Sequence, residues 1–178
     1  MDGLTGRLER ALSEAVAALE AGATPAARRS ALHGPRHWRT VARVGMEIAR
    51  RTPGTDLEVV VLSAYSHDTQ RWHDGHDPEH GRRAARAVRS LAAAGGVLDL
   101  GPDRLRLLTQ ACAKHADGLV SPDPTIGAAW DSDRLNLWRC GVAPSPGLLS
   151  TAAARSAEVY DWSRGVHAAG DQGWTVLG

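Results

Sequence analysis

The sequence predicts an all-α, single-domain chain, and three observations carry that expectation. Apolar residues recur at three- and four-residue steps, proline and glycine punctuate the ends of those runs, and strand-like β-branched alternation is nowhere sustained. At 178 residues the chain has the size of one domain with a generous core.

The elements follow in order. Leu4, Leu8, Ala11, Leu12, Ala15, Val16 and Leu19 make an amphipathic stripe, so a first helix is expected over residues 2–22, ended by Gly22. Pro35 suits a first helical turn, and His37, Val41, Val44 and Ile48 run down one face until Thr52-Pro53-Gly54. Thr55 or Asp56 caps the next helix, whose centre, Val59 to Leu62, is apolar all round and should be buried. A polar loop, Trp72 to Asp77, leads to a helix opened by Asp77-Pro78, running through Ala94 and ended by Gly95-Gly96. Pro102 starts a helix with Leu105, Leu108, Ala111, Cys112 and His115 on a shared face, ended at Gly118. Pro124 begins a segment reaching Arg139, with Gly141 beyond it, and a last helix is expected from about Leu148 to Val166. No internal repeat or low-complexity tract interrupts this order. The result is a helical bundle with short loops.

Composition excludes several classes of function. Apolar residues make up 43% and charged residues 23%, ordinary for a globular protein, and the formal net charge of +1 offers no strong field for nucleic acid or an anionic membrane. Lys114 is the only lysine among 21 basic residues, a bias read first as genome composition. The N-terminus carries charges through its apolar positions, so no signal peptide is expected, and no stretch approaches the roughly 20 apolar residues of a membrane span. Cys112 and Cys140 form no CxxC pattern and are expected to be buried, reduced thiols in a cytoplasmic protein.

Chemistry concentrates in the histidines, seven of which lie between positions 33 and 115. His37 falls on the inner face of its helix, four residues before Val41. His67 and Asp68 end the most buried helix, and Asp133 lies within Asp131-Ser132-Asp133-Arg134-Leu135. Two imidazoles and two carboxylates converging from three core helices suit a divalent metal such as Mn, Fe, Co or Zn. The rival reading of any single ring is a hydrogen-bonded core histidine. An acid at the end of an apolar run, however, must be paired, protonated or metal-bound.

The order His37, then His67-Asp68, then Asp133 resembles the H…HD…D signature of the HD superfamily of metal-dependent phosphohydrolases. His37-Trp38-Arg39-Thr40-Val41 resembles that family's first-ligand helix, and Asp133-Arg134-Leu135 its closing Asp motif. The resemblance covers roughly residues 30 to 140, with the first and last helices packed on that core, and makes Asp133 the ligand and Asp131 an outer partner. Some branches carry two further histidines, and His80 and His115 stand in similar helix positions. The site would then hold two ions bridged by Asp68. The rival readings are an exposed first-turn residue for His80 and a dipole-favoured helix-end residue for His115.

The resemblance implies hydrolysis of a phosphomonoester or phosphodiester, of a nucleotide or a related small molecule, by a metal-activated water. Arg71 stands where many members keep a basic residue and would grip a phosphate, with Lys114 adding charge. Glu79, Asp77 or His73 would protonate the leaving group. His33 lies either at the mouth of the site or at the helix start. Two rivals remain: a di-iron oxygenase, as in a minority of similar proteins, and a metal-stabilised binding module without turnover. A small phosphorylated molecule is the expected partner, with neither membrane nor nucleic acid.

Overall fold

The computed structural model describes residues 2–169, and side chains from residue 12 to residue 168. Among them the chain is all helical, with no strand. In order come α1 (Asp2–Ala21), α2 (Pro25–Arg29), α3 (Pro35–Arg50), α4 (Leu57–Ser66), α5 (His80–Ala94), α6 (Pro102–Lys114), α7 (Pro124–Arg134), α8 (Ala152–Arg155) and α9 (Ala157–Ala169). Short 3-10 turns occupy Leu137–Cys140 and Pro146–Leu148. No described helix is long and apolar enough to cross a membrane.

Helix α4 is the axis of the fold, and every residue from Val59 to Ser66 is buried. Three consecutive valines are indifferent helix formers. Burial on all sides overrides that preference, because tertiary packing supplies most helical stability in proteins. Asp56 caps the helix by accepting from the Val59 amide at 3.1 Å. Its carboxylate also takes a bidentate pair from Arg104 at 2.7 and 2.9 Å, tying the start of α6 to the start of α4.

Two apolar clusters share α3 and α4. Trp38, Val41, Leu62, Ala84, Val88 and Leu108 belong to the larger one, along with Leu12, Ala15, Val16 and Leu19 of α1. Leu4, Leu8 and Ala11 of the predicted stripe lie outside the described side chains. The smaller cluster joins Val44, Ile48 and Val60 to Leu135, Leu149 and Val159. Gly45 lets α3 and α4 touch, since a Cβ there would sit 2.7 Å from Cγ1 of Val60.

Several boundaries depart from the sequence reading. Asp77-Pro78 does not open α5. The Asp77 carboxylate accepts from the Trp72 amide and the Arg83 guanidinium, closing the loop, and the helix begins at His80. Helix α7 stops at Arg134, and the 3-10 turn Leu137–Cys140 continues to Gly141, which takes the left-handed conformation. The single last helix is three pieces. Thr151 starts α8 by accepting from the Ala154 amide, and Ser156 is extended, breaking the helix before α9. Cys112 is buried, but Cys140 sits exposed in the 3-10 turn, so only one of the two free thiols is inside. The segment Pro25–Arg29 forms a helix that periodicity did not indicate.

Asp131 is fully buried, yet it touches none of the histidines. Its carboxylate accepts from the Ser150 and Thr151 amides, both at 2.7 Å, and from the Thr151 hydroxyl at 2.8 Å, fastening the C-terminal segment to α7. This corrects its expected place beside the metal ligands. Asp131→Ala would strand those donors, at about 3 kcal/mol. Thermal unfolding followed by circular dichroism should therefore show a midpoint roughly 6–12 °C lower, with metal content per folded chain unchanged.

Candidate metal centre

His67 caps the C-terminus of α4, Asp68 follows it, and His115 caps the C-terminus of α6. Helix C-termini carry partial negative charge, so both ends favour a cation. His80 opens α5, His37 lies in the first turns of α3, and Asp133 is near the end of α7. All four rings are buried, as is Asp68.

Asp68 is the hub. Its Oδ2 lies 3.1 Å from Nδ1 of His33, 3.5 Å from Nε2 of His37 and 3.4 Å from Nε2 of His67. Its Oδ1 lies 3.1 Å from Nε2 of His80 and 3.6 Å from Nε2 of His115. Oδ1 of Asp133 stands 3.3 Å from Nε2 of His37 and 3.8 Å from Nε2 of His67. The atoms fall into two groups that share one carboxylate.

The outward nitrogens decide which ring atoms face the centre. Nδ1 of His67 meets the Ala64 carbonyl at 3.0 Å, and Nδ1 of His115 meets that of Cys112 at 2.8 Å. Nδ1 of His80 meets the Asp77 carbonyl. A carbonyl only accepts, so in each neutral ring Nδ1 carries the proton and Nε2 keeps a lone pair. Asn136 lies 2.6 Å from Nδ1 of His37, and its own Oδ1 has no partner. Turning that oxygen to the ring makes Nδ1–H the donor and gives His37 the same polarity. The result is Nε2 facing Nε2, at 3.2 Å between His37 and His67 and 2.9 Å between His80 and His115.

Charge adds to this. Burial opposes ionisation of Asp68, but the rings of His67, His115, His33 and His37 hold its carboxyl well below the usual range. Burial likewise opposes Asp133, and His37, His67 and Arg139 outweigh it, so this carboxyl too lies well below its usual range. Burial and then Arg139 push His37 down, whereas for His67 the Asp68 charge overcomes burial and pushes the ring up. Oδ1 of Asp133 is buried without a hydrogen-bond donor.

These donors could hold a metal ion, and they group as His37, His67 and Asp133, as His67, Asp68 and His115, and as His33, His37 and Asp68. Bonds of about 2.1 Å put neighbouring donors roughly 3.0 Å apart on an octahedral ion and roughly 3.4 Å on a tetrahedral one. The observed Nε2 pairs at 2.9 and 3.2 Å fit that spacing. Comparison with family models, curated proteins and solved structures finds no match for the chain. Its chemistry is therefore read from its own atoms.

Of the other predicted site residues, Arg71 is at the centre and two are not. Nη1 of Arg71 lies 3.4 Å from Oδ1 of Asp68 and donates to Nε2 of His80 at 3.1 Å, while Nη2 donates to the Gly75 carbonyl at 3.1 Å. Glu79 turns outward and pairs with Arg82 at 2.7 Å. Lys114 is exposed, because one residue before an inward His115 a helix presents the far side. Of the two other proton-donor candidates, His73 is exposed and Asp77 is engaged by Arg83. Sequence reasoning missed Asn136 and Arg139, which follow the closing Asp on the 3-10 turn. Nη1 of Arg139 lies 3.8 Å from Oδ1 of Asp133.

Gly81 makes the meeting of His80 and His115 feasible. A Cβ there would sit 2.5 Å from the Cys112 carbonyl oxygen and 3.1 Å from Nδ1 of His115. Gly81→Ala must therefore push α5 from α6. We expect it to lower the thermal midpoint and to release one bound metal equivalent, measured by elemental analysis.

Proposed function

We propose that the chain is a metal-dependent phosphohydrolase of the HD-domain type, acting on a phosphomonoester or phosphodiester of a small molecule. The observation that carries the reading is the pair of Nε2 atoms of His80 and His115, 2.9 Å apart, with the Nδ1–H of each ring committed to a carbonyl. Arg71 can donate to His80, but Nε2 of His115 faces that ring and the Asp68 carboxylate, 3.6 Å away, with the His67 ring beside them. Buried lone pairs so arranged are unfavourable without a cation between them.

In this reading His37, His67 and Asp133 would hold one ion and His80 and His115 a second, with Asp68 common to both. The mixed nitrogen and oxygen donors suit Mn, Fe, Co or Zn. Such a pair supplies a water activated near neutral pH and positive charge for phosphoryl oxygens. Asp68 and Asp133, both ionised, set the charge of the site, and the outward hydrogen bonds of the four rings fix where Nε2 points. Arg71 favours phosphoryl chemistry. Its Nε is buried without an acceptor, an N–H beside the centre for a phosphate oxygen.

The experiment is a screen of phosphomonoesters and phosphodiesters with protein loaded separately with Mn, Fe, Co and Zn. Metal-dependent release of phosphate, lost on chelation and in His67→Ala, is expected. An iron-loaded protein with visible absorption that consumes oxygen and leaves every phosphoester intact would replace hydrolysis with oxygenation.

A further inference from the structure

The metal centre does not account for the cleft beside it. His37 lines both, and the cleft, about 170 Å³, is also walled by Arg36, Thr40, Asn136, Arg139 and His167. Three elements bring its basic side chains together: Arg36 from the first turn of α3, Arg139 from the 3-10 turn after α7, and His167 from the end of α9. Among the described residues no acidic side chain lines it.

Arg139 is held in place. Its Nε donates to the Leu32 carbonyl at 3.1 Å and its Nη1 to the Asn136 carbonyl at 3.0 Å. Its Nη1 also lies 3.8 Å from Oδ1 of Asp133, on the side of the metal centre. The Arg36 guanidinium has no carboxylate partner among the described residues. Burial, then Arg36, then Arg139 push the His167 pKa down, which places both guanidinium groups near that ring. Converging positive charge in a concave site raises the local concentration of anions. Forked guanidinium donors match carboxylate and phosphate oxygens.

We propose that this cleft binds a second anionic group of the substrate, a carboxylate or a phosphate, separate from the phosphoryl group at the metal centre. The inference rests on the phosphohydrolase reading and narrows its substrate class. Pockets for drug-sized ligands run to roughly 300–1,000 Å³. A cleft of about 170 Å³ takes something smaller, so the group bound there is a compact anionic one rather than a nucleotide base.

Three non-hydrolysable probes test this by calorimetry on the metal-loaded full chain: propylphosphonate, 3-phosphonopropionate and ethane-1,2-bisphosphonate. All share one phosphonate, and the last two add a carboxylate or a second phosphonate. At least one of these two should bind about tenfold tighter than propylphosphonate, and which one does so identifies the group. Arg36→Gln and His167→Gln should each bring that ratio toward one while leaving propylphosphonate binding unchanged. Arg36 is exposed, so its replacement does not endanger the fold. Equal binding of all three probes to the wild type overturns the proposal, as does a preference that survives both substitutions. Chelation separates the two readings. The preference should persist in metal-free protein, and a persistent preference in a chain that never binds metal would sink the hydrolase reading and leave the cleft standing.

Discussion

Asp68→Ala should yield a folded chain that keeps no metal through desalting and has no measurable hydrolase activity. Asp68 faces both groups of donors through its carboxylate, with Oδ2 toward His33, His37 and His67 and Oδ1 toward Arg71, His80 and His115. Changing an outer-shell partner typically costs about 10–100-fold in metal affinity or activity. In the proposed centre Asp68 would be an inner donor to both groups, so its loss should exceed that range. His80→Ala, by contrast, should leave the group of His37, His67 and Asp133 with its ion. Elemental analysis beside circular dichroism separates loss of metal from loss of fold. An Asp68→Ala protein that still carried one tightly held ion would show that the carboxylate is not shared.

Stripping the metal should cost more stability than any surface substitution. Binding at about 1,000 times Kd stabilises a fold by about 4 kcal/mol. For a chain of this size that is a shift of roughly 8–16 °C in the midpoint. The shift should depend on pH in a definite direction. Ligand rings must be neutral, so metal stabilisation is full at pH 8 and fades as pH falls through about 6.5. In the metal-free chain the two perturbed rings oppose each other. His67, raised, stabilises below about 6.5 and loses that effect as pH rises through its folded value, while His37, lowered, does the reverse. Asp68 and Asp133, both depressed, stabilise above about pH 4 and lose this as pH falls toward their folded values. The midpoints of loaded and metal-free protein, followed by thermal melts from pH 8 to pH 4, should therefore converge between pH 7 and 5. Metal-free protein should hold its midpoint down to about pH 4. A gap independent of pH would argue that no histidine is a ligand.

Local chemistry made the helices legible. Pro35, Pro102 and Pro124 each open a helix, Asp56 caps α4, and the valines of α4 are buried as their all-round apolar pattern requires. The adjacency of His67 and Asp68 at the end of a buried helix marked the centre for the same reason: a charge there needs a partner. What stayed hidden depends on contacts distant in sequence. Nothing local says that Asn136 meets His37 across 99 positions, or that Asp131 serves Ser150 and Thr151 instead of the metal ligands. His33 stands four residues before His37, but Gly34 and Pro35 break the helix between them, so helical spacing could not place its ring beside Asp68. Glu79, a candidate proton donor, and Lys114, expected to add charge for phosphate, stand next to His80 and His115 in sequence. Adjacent residues of a helix point about 100° apart, and both turn to the surface.

One arrangement competes with the two-ion centre. Nη1 of Arg71, 3.1 Å from Nε2 of His80 and 3.4 Å from Oδ1 of Asp68, already places a positive charge at the second group. A single ion beside His37, His67 and Asp133, with Arg71 as the resident cation, would use the same residues. Metal stoichiometry distinguishes them. Wild-type protein loaded with excess Mn or Fe and then desalted should retain about two ions per chain, and His80→Ala and His115→Ala should each retain about one. A wild-type chain that retains a single ion, unchanged by either substitution, would contradict the shared-carboxylate centre.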